Sequence, residues 1–310
     1  MDDKEGGGSE PGTSPGDWAD LTRECLISIL SRLPMEDRWR GPMLVCKSWL
    51  EACKDPCFNS IFDVEAQFES LTELPRYWRP EFERGIDSML RSVVGWSDGS
   101  LTEIRVRHCS DRSLCLVPER CPNLQVLSIK SSPHVSDGIM SKIASKCCNL
   151  RELDISYCYE ISHQSLAVIG KQCPKLQILR RNLMNWLDPS QHRGAVPNDY
   201  LNACPQDGDS DAAAIGKFMP NLLHLELQFS KLTAKGLHMI SEGCPNLEYL
   251  DISGCPNITG RDILAASSNL KNLKTIKKPN FYIPRSVYNT ERYGHWNLYD
   301  DRFQTDVFRI

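Results

Sequence analysis

Between residues 98 and 278, an apolar core of the form Leu-x-x-Leu-x-Leu, with Ile or Val allowed, returns at a nearly fixed interval. It stands at Leu101/Ile104/Val106, Leu124/Leu127/Ile129, Leu150/Leu153/Ile155, Leu222/Leu225/Leu227 and Leu247/Leu250/Ile252, with shorter echoes at Leu176/Leu179 and Leu273/Ile276. Successive starts lie 23, 26, 26, 46, 25 and 26 residues apart. The long interval is therefore one ordinary repeat carrying an insertion. A unit this short cannot bury its own apolar face, so stability must arise between stacked neighbours.

The flanks of each core agree. Three residues before its first Leu stands Cys121, Cys147, Cys173 or Cys244, and eight residues after it Cys109, Cys158 or Cys255, with Ser132 and Ser230 in the same slot elsewhere. A β-branched or apolar residue and a hydroxyl follow, as in Val135-Ser136, Ile161-Ser162, Leu232-Thr233 and Ile258-Thr259. Helical apolar spacing comes next (Ile139/Ile143, Leu166/Ile169, Leu237/Ile240). Each repeat thus reads as a strand, a turn and a helix whose N-cap is the Ser or Thr. The pattern resembles the cysteine-containing subclass of leucine-rich repeats. That resemblance implies an α/β solenoid with parallel strands on a concave wall and helices on the convex side.

Composition narrows the function. A net charge of −4 over 310 residues offers no electrostatic case for nucleic acid or an anionic membrane. No apolar run approaches the ~20 residues that span a bilayer. The tail at 1–16 is acidic and rich in Gly, Pro and Ser, unlike a secretory signal, and is expected to be flexible. Fourteen cysteines are therefore expected as reduced thiols in the nucleus or cytoplasm, filling small buried slots. Cys53 and Cys57 lack a partner pair at ligand spacing, and Cys147 and Cys148 are adjacent, so no metal or other cofactor is expected. There is no Gly-rich phosphate loop or His-Glu-x-x-His pair, and the seven histidines are scattered, so no catalytic residue is assigned.

The insertion, at about 181–210, contains Trp186, Pro189 and the run Asp207-Gly-Asp-Ser-Asp211. It reads as either disordered or a binding element. An EF-hand fails: Ala212 replaces the required Gly and Phe218 the bidentate Glu. Asp211-Ala-Ala-Ala-Ile-Gly reads instead as the restart of a repeat helix.

Residues 17–60 follow another rule. Leu21, Leu26, Ile29, Leu30 and Leu33 form a helical stripe capped by Thr22 and ended by Pro34. A second helix is expected over Met35–Arg40, broken at Gly41-Pro42, and a third from Pro42 through Leu50. Helices this short make a poor independent core and favour a partner. Trp18-Ala-Asp-Leu-Thr-Arg-Glu-Cys-Leu-Ile through Leu33-Pro34, followed by Leu44-Val45-Cys46-Lys47-Ser48-Trp49, resembles the F-box motif. Leu21-Thr22 stands where F-boxes usually carry Leu-Pro, which leaves only the first turn open. The opening segment and Glu291-Arg-Tyr-Gly-His-Trp296 onward are also similar to plant Skp-interacting-partner F-box proteins.

The resemblance implies a non-catalytic substrate-recognition subunit of a Skp–cullin–F-box ubiquitin ligase. Its partners would be a Skp-type adaptor, through that a cullin and a RING subunit, and an unidentified protein target. Adaptor-facing residues would be Leu21, Leu26, Ile29, Leu30, Leu33, Pro42, Val45, Cys46 and Trp49. Leu30 and Val45 are equally candidates for the module's internal core, yet charged substitutions at both are expected to abolish adaptor capture without unfolding the repeats. Two other functions stay open, a scaffold that binds the adaptor without target turnover and a small-molecule-gated receptor.

Residues 61–97 are expected to be a linker and N-terminal cap, helical over Glu81–Val94. Strand positions facing away from the core, Arg105, Arg107, Lys130, Asp154, Arg180, Glu226 and Asp251, run from basic to acidic. They are either a solvated sheet face or an electrostatically selective target surface. The aromatic tail at 279–310 is expected to cover the last repeat or touch the target.

Overall fold

The computed structural model describes Trp18 and residues 21–68, 74–188 and 192–279. The tail at 1–16, Pro189 and the aromatic residues from Phe281 onward lie outside the described residues. The chain divides after Asn59 into two units.

The first unit holds α1 (Arg23–Leu30), α2 (Met35–Arg40) and α3 (Lys47–Cys53). Thr22 caps α1, its side chain accepting from Cys25 N–H at 3.4 Å. Leu26, Leu30, Ala52 and Cys53 form the core, with Leu21, Leu33, Met43, Trp49 and Phe58 packed against it. The third helix does not start at Pro42 as expected. Pro42–Leu44 is a 3₁₀ turn, and extended backbone at Cys46 (φ −159°) separates it from α3. The break turns Leu44 and Val45 outward.

The second unit is an eight-stranded parallel sheet in sequence order. Its strands are β1 (Ile61–Asp63), β2 (Glu103–Arg107), β3 (Val126–Lys130), β4 (Glu152–Asp154), β5 (Ile178–Arg180), β6 (His224–Glu226), β7 (Tyr249–Asp251) and β8 (Thr275–Lys277). One apolar row crosses it in register, from Phe62 through Ile104, Leu127, Leu153, Leu179, Leu225 and Leu250 to Ile276. Each buried Leu or Ile of this kind contributes about 1.5–3 kcal/mol. β1 lies in the stretch expected as a helical linker, where no strand was anticipated. Phe62 and Val64 are fully buried and continue the core's last two positions, but no Leu precedes them to complete the motif. The helix expected over Glu81–Val94 is α4 (Pro80–Trp96), longer than anticipated at both ends.

The helical layer continues with α5 (Asp111–Leu114), α6 (Val117–Arg120), α7 (Asp137–Lys146), α8 (His163–Gln172), α9 (Asn198–Asn202), α10 (Asp209–Phe218), α11 (Ala234–Gly243) and α12 (Gly260–Asn269). An aspartate at the first position of one helix holds the hydroxyl residue that starts a helix of the next repeat. Asp111 accepts from Ser136 N–H (2.9 Å) and Oγ (2.6 Å), Asp137 from Ser162 (2.8 and 2.6 Å) and Asp209 from Thr233 (2.8 and 2.6 Å). Asp87 of α4 begins the series at Ser110. It lapses where that first position is His163 or Ala234, and Thr259 instead closes a capping box with Asp262 of its own helix.

Seven residues after the first Leu of each core, the backbone turns left-handed, at His108, Ser131, Tyr157, Phe229 and Gly254 (φ 45–75° throughout: 53°, 50°, 64°, 58° and 73°). Only the last is glycine, and a Cβ there would lie 2.3 Å from the Phe229 ring of the preceding repeat.

The insertion is anchored to the repeats. Trp186 Nε1 donates to Phe229 O (2.6 Å), and Lys231 lies 4.5 Å over its ring. Tyr200 of α9 stacks on Tyr159 (4.5 Å between centroids) and packs against Trp78 (4.6 Å). Asp207 accepts from Asp209 N–H and Ser210 N–H at the start of α10, the role of a helix-starting acid.

Candidate functional site

The first unit leaves apolar side chains uncovered. Leu44 is 78% exposed, Val45 60% and Ile29 38%, while Trp18 is 67% exposed with its carbonyl bonded to Trp49 Nε1 at 3.0 Å. Of the residues expected to face an adaptor, Ile29 and Val45 are exposed, and Leu21, Leu33, Pro42, Cys46 and Trp49 are half-buried. Leu26 and Leu30 are a correction: at 1% and 0% exposure they form the unit's own core. A helix of eight residues has room for one inward row, and these two occupy it. Leu44 was missed because the sequence placed it inside a continuous helix. The signal was the Gly41-Pro42 pair, which starts a tight turn rather than a regular helix.

Polar contacts fix this arrangement. Arg23 binds Asp55 at 2.6 Å, and that hydrogen bond holds the Asp55 carboxyl below its ordinary value. Arg38 donates to Leu33 O at 2.5 Å and lies 4.7 Å over the Phe58 ring, tying α2 to both ends of the core.

On the open face of the sheet, the expected drift from basic to acidic does not survive pairing. Arg105 grips Glu152 with both terminal nitrogens (3.0 and 3.2 Å), and Arg180 donates to the same carboxylate at 2.6 Å. Arg180 also reaches Glu226 at 3.1 Å, where Asn182 (3.0 Å) and His224 (2.7 Å) converge. Gln228 joins Asn182 to Asp251, and Lys277 closes the series on Asp251 at 3.4 Å. Arg107 and Lys130 both bind Glu65, and Lys130 lies 3.4 Å from Asp154. Glu65, Glu152 and His224 are participants that sequence reading missed. Strand register was the available signal for two of them, since it sets Glu103, Glu152, His224 and Tyr249 in one row beside that of Arg105, Asp154, Arg180 and Glu226.

Three residues expected to face a target are buried. Arg107 is 9% exposed, Asp154 2% and Asp251 1%. Asp154 accepts from Ser156 N–H and Asp251 from Ser253 N–H, each at 3.0 Å, so both hold the chain as it leaves the strand. Arg105, Lys130, Arg180 and Glu226 remain half-exposed. His224 and Tyr249 stack at 4.1 Å beside them.

All fourteen cysteines are free thiols. Burial pushes Cys121, Cys147, Cys158, Cys173, Cys244 and Cys255 up to about 12, and Cys109 higher still. These repeat-slot thiols are core groups, poor sources of a thiolate. Among the described residues there is no group of three His, Cys, Asp or Glu that could hold a metal ion, and no helix long and apolar enough to cross a membrane.

Comparison with known proteins agrees with both halves of this description. The F-box domain family model matches residues 18–61, and a leucine-rich-repeat model matches residues 146–162 and 243–265. The chain is 59% identical to F-box protein SKIP1 of Arabidopsis thaliana over 95% of this chain and 98% of that protein. It is 57% identical to putative F-box/LRR-repeat protein 19 of the same plant, over 90% of this chain and 93% of the relative. Among solved structures, the yeast Rad7 and Elc1 complex aligns at a TM-score of 0.43 and 20% identity, covering 57% of this chain and 41% of that one, too distant to argue from. The chain belongs to the plant F-box proteins that carry leucine-rich repeats.

Proposed function

We propose that this chain is the substrate-recognition subunit of a Skp–cullin–F-box ubiquitin ligase, acting in the nucleus or cytoplasm. The observation that carries the reading is the exposure of Leu44, Val45 and Ile29 on a unit whose core, among the described residues, is the four buried side chains of Leu26, Leu30, Ala52 and Cys53. Apolar groups so placed are stabilised when a partner removes them from water, at about 25 cal/mol per Å². The adaptor that covers them would bring the cullin and RING subunit. The half-exposed rows of the sheet, with their stacked His224 and Tyr249, would hold the protein target.

The chain itself supplies no chemistry in this scheme. It raises the local concentration of a target lysine beside the charged conjugating enzyme. Co-purification of the full chain with a Skp-type adaptor and cullin, then ubiquitination of a captured protein by the assembled complex, tests it. Adaptor capture without any target turnover would favour the scaffold. Failure to capture the adaptor would refute the proposal.

A further inference from the structure

The cations of the open face are neutralised where they stand; at the edge where helices end and strands begin, Lys274 pairs with Glu248 at 2.7 Å, but the cations of the middle repeats have no such partner among the described residues. Across three consecutive repeats (residues 141–151, 168–177 and 215–223) this edge carries Lys142, Lys146, Arg151, Lys171, Lys175 and Lys217 and no Asp or Glu. All six are exposed. Among the described residues, their contacts are with neutral groups. Lys175 donates to Asn149 Oδ1 at 2.7 Å, and Lys171 and Lys217 both lie against one aromatic ring, 4.5 and 5.2 Å from the Phe218 ring centre. Arg151 and Lys175 line a depression of about 380 Å³ together with the side-chain amides of Gln177, Asn221 and Asn246.

The helix dipole accounts for part of this. Lys146, Lys171 and Lys217 occupy last helical turns, where a cation is favourable. It does not account for Arg151 and Lys175, which lie beyond the helix ends, or for the absence of any carboxylate among them. In a chain of net charge −4, the collection of positive charge on this edge does not follow from the overall charge balance.

We propose that this edge is a second docking surface, separate from the open face of the sheet, and that it takes an Asp- or Glu-rich stretch of a partner protein. Carboxylates suit both parts of it: two ammonium groups beside one aromatic ring, and the Arg151 guanidinium beside the Lys175 ammonium. Packed helices stand about 8–10 Å apart, so three repeats span some 20–30 Å, which an extended peptide covers with about eight residues. The inference is independent of adaptor binding, and a variant that loses the adaptor should keep the acidic peptide.

Anisotropy of a fluorescein-labelled Glu/Asp-rich peptide on the full-length chain tests it. R151E/K175E and K171E/K217E are each expected to weaken binding at least about tenfold, and the neutral K171Q/K217Q by less. Lys277→Glu on the open face should leave binding within about twofold, and raising salt should weaken it for the unmodified chain. Three results would overturn the proposal: no binding at low salt, equal binding by the charge-reversed variants, or equally tight binding of single-stranded DNA of the same charge. The last would mark a general polyanion patch.

Discussion

Arg181 Nε donates to Asp211 Oδ2 at 3.3 Å, joining the two ends of the insertion. Arg181 is 2% exposed, and its other nitrogens donate to Cys158 O and Ile161 O, each at 2.6 Å. One guanidinium thus closes the base of the insertion and satisfies the turn of the preceding repeat. Arg181→Met leaves the half-buried Asp211 carboxylate without its partner and strands both carbonyls. The expected cost is about 3–5 kcal/mol, read as a lower urea midpoint. The double variant R181M/D211L should recover part of the loss. A double variant no better than the single one would contradict the pairing.

Acid should destabilise the repeats. Burial opposes ionisation of Glu152, but the Arg105 and Arg180 guanidiniums outweigh it and hold the carboxyl below its ordinary 4.5. Glu65, Glu226, Asp137 and Asp251 are likewise depressed, each by hydrogen bonds that overcome burial. Below pH ~4.5 the unfolded chain therefore binds more protons than the folded one, and stability is lost as pH falls through the folded values. Asp211 runs the other way: burial raises its carboxyl, so its contribution declines as pH rises through that value. The five depressed groups set the sign. Thermal melting followed from neutral to about pH 3 should show a fall that is shallower in Glu152→Gln.

α10 and α11 meet at backbone distance. A Cβ on Gly243 would lie 1.8 Å from the carbonyl oxygen of Gly216, and no rotamer relieves a backbone clash. Gly243→Ala must separate the helices, at an expected cost of about 1–3 kcal/mol. For a unit of this size each kcal/mol lowers the melting point by roughly 2–4 °C. An unchanged melting point would show that the helices are not in contact there.

Leu30 and Leu44 should part company. Leu30 is buried in the first unit's core, so Leu30→Ala should cost about 2–5 kcal/mol and a charge there should unfold the unit. Loss of adaptor capture by such a variant reports folding, not contact. Circular dichroism of an isolated adaptor-free chain distinguishes the two, since Leu44→Asp should keep its helical signal.

Periodicity made the repeats legible because stacking forces the same apolar slots on every unit. Leu127, Leu153 and Leu250 could be placed from spacing alone, and the hydroxyl at Ser162 or Thr233 marked each helix start. The open face was harder to read. Whether Asp154 faces a target or braces its own strand exit depends on Ser156 N–H, and whether Arg105 is free depends on Glu152, 47 residues away. Such pairings follow from register across repeats, not from local pattern. β1 was hidden for a related reason, since Phe62-x-Val64 is only a fragment of the motif. In the first unit, helical spacing marked Leu26 and Leu30 as one face but not which side of that face lies inward.

Titration of a purified Skp-type adaptor into the full-length chain, with Leu44→Asp/Val45→Asp compared against the unmodified protein by calorimetry, puts the adaptor reading to its most direct trial. A loss of affinity of about a hundredfold or more, with the far-ultraviolet spectrum unchanged, is the expected result. Equal affinity in the two proteins would mean that these exposed side chains are not where the adaptor sits.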